Sequence, residues 1–230
     1  MYELFIGNKN YSSWSLRPWV LMRARDIAFT EHLTPFVAGS SFATFRRFSP
    51  SGKVPCLRDG ETVVWDSLAI SEYLAERHAG LWPEDDRARS WARCAAAEMH
   101  SGFAALRGAC GMNVGVRVRL HEWPDPLLAD VRRVDELWNE GLSRFGGPHL
   151  ASPQFTVVDA FFCPVAYRVR TYAIALQGAA AEYAQRLLQL PAMRAWETAA
   201  LAEPWRDATH EQELAQYGEV IADQRSPAGH

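Results

Sequence analysis

The stretch from Lys53 to His78 reads KVPCLRDGETVVWDSLAISEYLAERH. Val54 to Leu57 and Thr62 to Trp65 are two short apolar runs around Arg58-Asp59-Gly60-Glu61, which is a hairpin signal. Pro55 enters the first run from the loop Ser49-Pro50-Ser51-Gly52. It is either an edge-strand proline or a cis proline that turns the preceding backbone toward a ligand. Asp66 then stands as a natural N-cap, and Ile70, Tyr73 and Leu74 form one face of a helix. Ser67 at that helix start can present its N–H and hydroxyl to a carboxylate, and Asp66 can accept from an ammonium. The pair therefore suits an amino-acid head group, while also reading as a simple helix cap.

Upstream, Leu4-Phe5-Ile6 reads as a buried strand broken by Gly7-Asn8. The seam that follows, Asn10 to Trp19, is NYSSWSLRPW. Beyond it Leu16, Val20, Ala24 and Ile27 recur at helical spacing, with Pro18 expected in the first turn. A small-residue turn at a helix start leaves backbone N–H groups unpaired and favours an anion, to which a serine hydroxyl can add a donor. Taken alone, a capping role for Ser12 or Ser13 is the more frequent use of such a serine. Glu31 to Phe36 is a second strand candidate, and Phe42, Phe45 and Phe48 suggest a short helix. The order βαβ, hairpin, helix describes a small open α/β unit.

After Gly80 to Asp86, which reads as a linker, the pattern becomes helical at roughly 84–110, 126–145, 157–173, 179–190 and 191–201, so an all-α half is expected there. Thr156 and Asp159 are spaced as a capping box. The tail after Tyr217 is polar, with Pro and Gly, and is expected to be loose.

Composition narrows the function classes. Among 230 residues 48% are apolar, which supports a folded chain, and a net charge of −3 gives no general nucleic-acid footprint. Cys56, Cys94, Cys110 and Cys163 lack CxxC or metal-ligand spacing and are expected as buried reduced thiols. Motifs for zinc proteases, dinucleotide or nucleotide phosphates and serine hydrolases do not occur, and His100 and His121 have no evident partner in the sequence. No metal is expected. The opening run Met1 to Gly7 lacks a basic leader and no run has the length of a membrane span, so a cytoplasmic protein is expected.

In combination, the strand, the serine turn, Arg17, the Val54-Pro55 step, the Asp66-Ser67 run through Tyr73-Leu74 and the Thr156–Asp159 box resemble the glutathione transferases over nearly the whole chain. The SSWS turn is most similar to the zeta class, whose turn reads SSCS before an Arg and which includes maleylacetoacetate isomerases; here Trp14 stands where that class has Cys. The zeta arginine thought to hold an acidic substrate falls by counting on Thr171, with Arg170 adjacent and Arg168 close by.

The resemblance implies a thioredoxin-like glutathione-binding domain at 1–80, a linker at 81–90, an all-helical substrate-pocket domain at 91–216 and a polar tail at 217–230. It implies glutathione as co-substrate, a small electrophile as second substrate, a homodimer and a detoxification role. Ser13, with Ser12 close behind, is expected to donate to the glutathione sulfur. Trp14, Lys53, Val54, Pro55, Asp66 and Ser67 are expected to hold the tripeptide, and Arg168 and Arg170 to reach the substrate pocket. Trp14 and Trp19 are expected to wall the cleft or pack beneath the turn. The competing readings are an isomerase of the zeta type and a non-catalytic regulator that binds glutathione or a protein.

Overall fold

The computed structural model describes residues 1–227; the last three residues of the expected tail lie outside that range. β1 (Tyr2–Ile6), α1 (Ser13–Ala24) and β2 (Phe29–Leu33) form the opening βαβ unit. A short α2 (Phe42–Phe45) precedes β3 (Cys56–Asp59), β4 (Thr62–Val64) and α3 (Ser67–Ala75). The sheet runs β2-β1-β3-β4, with β1 parallel to β2 and antiparallel to β3. Gly60, at φ +58°, turns the β3–β4 hairpin in the left-handed region that a side chain would resist. The α/β half has the expected thioredoxin-like order.

The second half contains α4 (Asp86–Ser101), α5 (Ala104–Ala109), β5 (Val116–Leu120), α6 (Asp125–Phe145), α7 (Val157–Thr171), α8 (Gly178–Gln189), α9 (Pro191–Leu201), α10 (Ala208–Tyr217) and β6 (Gly218–Asp223). Every residue of α7 except Arg170 is buried, and α7 packs against α1, α4 and α8. One continuous apolar core therefore runs from Leu4 and Leu16 through Phe161 to Trp196. The capping box is present at its start: Asp159 accepts from the Thr156 N–H at 2.8 Å, and also from Leu150 N–H at 2.9 Å and the Tyr183 hydroxyl at 2.6 Å. Those donors compensate a carboxylate with no solvent access.

Several expectations are corrected. The helix expected over 84–110 is two helices, because Phe103 adopts a left-handed φ of +55° between them. The second half is mostly helical, as expected, and β5 and β6 add a two-stranded antiparallel sheet to it. The tail is not loose as far as it is described. Beyond β6, the Arg225 guanidinium bonds Asp223, both oxygens of Glu211 and the Tyr11 hydroxyl. Pro18 lies in the second turn of α1 rather than the first and leaves the Trp14 carbonyl without its helical donor. Cys94 is exposed, while Cys56, Cys110 and Cys163 are buried free thiols.

Candidate functional site

A cleft of about 730 Å³ opens between the serine turn, the loop carrying Phe36, the Gly52–Val54 segment, α5, α7 and α10. Ser12, Ser13, Trp14, Lys53, Val54 and Arg168 all line it. Folding thus brings together six of the residues singled out in the sequence from positions 12 to 168.

The two serines at the turn are in different states. Ser12 precedes α1 but its side chain makes no capping bond. Its hydroxyl instead donates to Ser15 Oγ at 2.7 Å, and Ser15 Oγ accepts the Gly7 N–H at 3.2 Å. That chain of bonds laces the end of β1 to the helix start and uses Ser12 internally. Ser13, the first residue of α1, is half-buried, and its hydroxyl meets no protein partner among the described residues. It stands where the unpaired amides and dipole of α1 favour negative charge.

The turn is fixed from the helical half. Glu203 accepts the Lys9 N–H at 2.6 Å and the Asn10 N–H at 3.2 Å, Asn10 Nδ2 donates to the Ala200 carbonyl at 2.6 Å, and Trp196 Nε1 donates to the Lys9 carbonyl at 2.9 Å. Burial raises the Glu203 carboxyl above its ordinary value, and these donors oppose the rise. The Tyr11 hydroxyl donates to Glu211 at 2.7 Å, so α10 is tied to the same turn.

Trp14 walls the cleft, with the Arg17 guanidinium 4.2 Å and the Arg107 guanidinium 4.8 Å from its ring centre. Trp19 does not: it is buried against Trp196 and donates to Glu31 at 2.6 Å. Each alternative expected for the two tryptophans thus applies to one of them.

The Val54-Pro55 bond is cis. Asp66 and Ser67 lie outside the lining of the main cleft, though His100 touches both Asp66 and the Trp14 ring. Asp66 caps α3 as expected, accepting from Leu68 N–H at 2.9 Å and Ala69 N–H at 3.4 Å, and its other oxygen is 3.1 Å from His100 Nε2. His100 therefore has a partner that the sequence did not disclose. Its second ring nitrogen is buried without a partner, and burial holds its pKa below the ordinary value. Ser67 is buried, with Arg17 Nη1 at 3.5 Å from its hydroxyl.

Arg168 and Arg170 separate. Arg168 lines the cleft and donates its Nε to the Cys110 carbonyl at 2.8 Å. Arg170, expected beside it, pairs with Glu197 at 2.6 Å and bonds the Val114 carbonyl, away from the cleft. Two residues along a helix turn the side chain through about 200°, so both cannot face one cavity. Arg107, His210 and Phe36 also line the cleft and were not singled out; none belongs to a local motif. Among the described residues no cluster of His, Cys, Asp and Glu could hold a metal ion, and no helix is long and apolar enough to cross a membrane.

Residues 11–77 match the sequence model of one family, described as the N-terminal domain of glutathione S-transferase. No curated protein matches the sequence. Among solved structures, a glutathione transferase homologue from Burkholderia gl BGR1 with bound glutathione is 17% identical with a TM-score of 0.66, over 86% of this chain and 97% of that one. The Tau class enzyme of mango, Mangifera indica, is 16% identical with a TM-score of 0.67, over 93% and 98%. A theta class glutathione S-transferase from Xanthomonas axonopodis pv. citri with glutathione bound is 23% identical with a TM-score of 0.62, over 84% and 95%. The chain thus has the glutathione transferase fold, and its residues 11–77 match that family's N-terminal domain.

Proposed function

We propose that this chain is a glutathione transferase in which the Ser13 hydroxyl donates to the sulfur of bound glutathione and holds it as thiolate. The observation that carries the reading is the difference between the two serines: Ser12 is engaged with Ser15, while Ser13 faces the cleft with its hydroxyl free at the start of α1. A thiol becomes nucleophilic when it ionises. Lowering its pKa by about two units requires roughly 3 kcal/mol, which a charge-assisted hydrogen bond and a helix dipole can supply together. Ser13 is not itself the nucleophile in this scheme.

The remaining roles follow the same reading. Val54, before cis Pro55, offers its backbone to the cysteinyl part of glutathione, as one strand does to another. Lys53 and Trp14 border the cleft beside it. Asp66 takes the ammonium of the γ-glutamyl group, and Ser67 with Arg17 behind it takes the carboxylate. Residues 1–80 would bind glutathione and residues 91–216 would shape the pocket for the electrophile, in a homodimeric cytoplasmic enzyme of detoxification.

The test is conjugation of glutathione to a panel of electrophiles together with retention on a glutathione column. Turnover lost in Ser13→Ala with retention kept supports the assignment. Retention without turnover of any electrophile by the unmodified chain favours a non-catalytic binding protein. Turnover of a cis-unsaturated diacid to its trans isomer, without net consumption of glutathione, would identify an isomerase of the zeta type.

A further inference from the structure

A thiol that ionises in the cleft must pass its proton on, and α10 presents an acceptor there. Asp207, buried just before α10, accepts the His210 backbone N–H at 3.1 Å, and the same oxygen lies 2.6 Å from His210 Nδ1. A carboxylate accepts and does not donate, so Nδ1 bears a proton and Nε2 of the neutral ring keeps its lone pair. Among the described residues Nε2 has no partner, and His210 lines the cleft, half-buried.

A helix cap accounts for the backbone bond but not for the placing of the ring. The imidazole stacks on Tyr11, with centres 4.9 Å apart and planes inclined by 22°, and its centre lies 5.1 Å from that of Phe36. The turn, the Phe36 loop and Asp207 between them hold it in one orientation. Tyr11 is two residues before Ser13, so the imidazole stands beside the serine turn. The nearby acids of α10 are occupied or open to water: Glu211 holds Arg225 and the Tyr11 hydroxyl, and Glu213 is exposed. Among the described residues Asp207 is therefore the one acid that pairs with the ring, and the ring's free edge is left for the cleft.

We propose that His210 is a catalytic acid–base residue, whose Nε2 takes the proton of the glutathione thiol and returns it to the product of an addition reaction. The inference rests on the transferase reading and adds to it the route of the proton. The S–H bond breaks and its proton passes to Nε2, giving an imidazolium that Asp207 stabilises through Nδ1–H and that the thiolate stabilises in turn. The sulfur then bonds to the β-carbon of an unsaturated carbonyl compound. The π pair moves to the α-carbon, which takes the same proton from Nε2, so that no proton is gained or lost overall. Substitution of an aryl halide makes no use of the second step: the halide leaves with its electron pair, and the proton goes to solvent.

That difference supplies the test. Turnover is measured with benzylideneacetone, which is attacked by addition, and with chlorodinitrobenzene, which is attacked by substitution. His210→Gln keeps the backbone bond to Asp207, and His210→Phe keeps a ring between Tyr11 and Phe36. In each, the ratio of addition to substitution is expected to fall about a hundredfold, and the ratio cancels any shared loss of folding or of glutathione affinity. A ratio unchanged in both variants overturns the inference. A second readout needs no turnover: nuclear magnetic resonance of the full chain carrying isotope-labelled histidine reports whether Nε2 holds a proton. Protonation that appears with glutathione and not with S-methylglutathione, which has no thiol proton, is expected. An Nε2 state that is the same with both bound ligands overturns the inference, even if both electrophiles are conjugated. Protonation by glutathione alone in a chain that conjugates neither electrophile upholds His210 as the proton acceptor and counts against the transferase reading alone. A chain that binds no glutathione in calorimetry rejects both.

Discussion

The Glu203 carboxylate, just past the end of α9, accepts the backbone N–H of Lys9 at 2.6 Å. One buried acid of the helical half thereby sets the backbone of the turn that presents Ser13, and its other oxygen serves Asn10. Glu203→Ala would strip acceptors from three donors buried at Lys9 and Asn10. An unfolding free energy lower by about 2–4 kcal/mol is expected in urea titration, since each orphaned buried donor costs about 1–3 kcal/mol before relaxation and water entry. A loss under 1 kcal/mol would show that the turn holds itself.

Ser13→Ala is expected to leave glutathione affinity nearly unchanged and to raise the pKa of the bound thiol. Conjugation should slow at neutral pH, and the deficit should shrink as rising pH ionises the thiol directly. Ser12→Ala cuts the Ser12–Ser15 bond and should cost about 1 kcal/mol of stability without moving the pH profile. A profile that moves in Ser12→Ala and not in Ser13→Ala would exchange the two roles.

Asp66 has an observed role, the cap of α3, and a proposed one, the charge opposite the glutathione ammonium, and substitution separates them. Asp66→Asn retains a side-chain oxygen to cap α3 and should change stability little, whereas Asp66→Ala should cost about 1 kcal/mol. Both remove the charge facing the ammonium and should weaken glutathione binding by about 1–3 kcal/mol in calorimetry. Full affinity in the Asn variant would remove Asp66 from the head-group site.

The pH dependence of stability should carry a contribution from His100. Burial first, then the nearby Arg17 and Arg107 charges, depress its pKa, while Asp66 opposes them. Because the folded value lies below the unfolded 6.5, the unfolded chain binds the extra proton. The stability tied to neutral His100 is present above that value and is lost as pH falls below it. His100→Gln should flatten the acid limb as pH falls through 6.5 and below; parallel limbs for the two proteins would refute the assignment.

Local features were legible because their causes are local. The β3–β4 hairpin, the Asp66 cap and the Thr156–Asp159 box each depend on residues within a few positions of one another. The β5–β6 sheet was not read, although Val116 to Leu120 alternates apolar and basic residues, because its partner strand lies about a hundred residues away in a polar segment. The resemblance led to Arg168, and only the helical phase of α7 separated it from Arg170. Arg107 and Glu203 have no motif at all: an unexceptional arginine and glutamate reach Trp14 and the serine turn only through packing between halves.

Trp196, Glu203, Glu211 and Arg225 all bear on the turn at residues 9–11. On a ribosome these supports emerge last, when the turn itself has been outside the exit tunnel for most of translation. The strands of the first half pair only with one another, but the serine turn gains its anchors only once α9, α10 and Arg225 have been made. A nascent chain stalled before residue 196 should therefore carry the strand order of the α/β half and yet fail to be retained on immobilised glutathione.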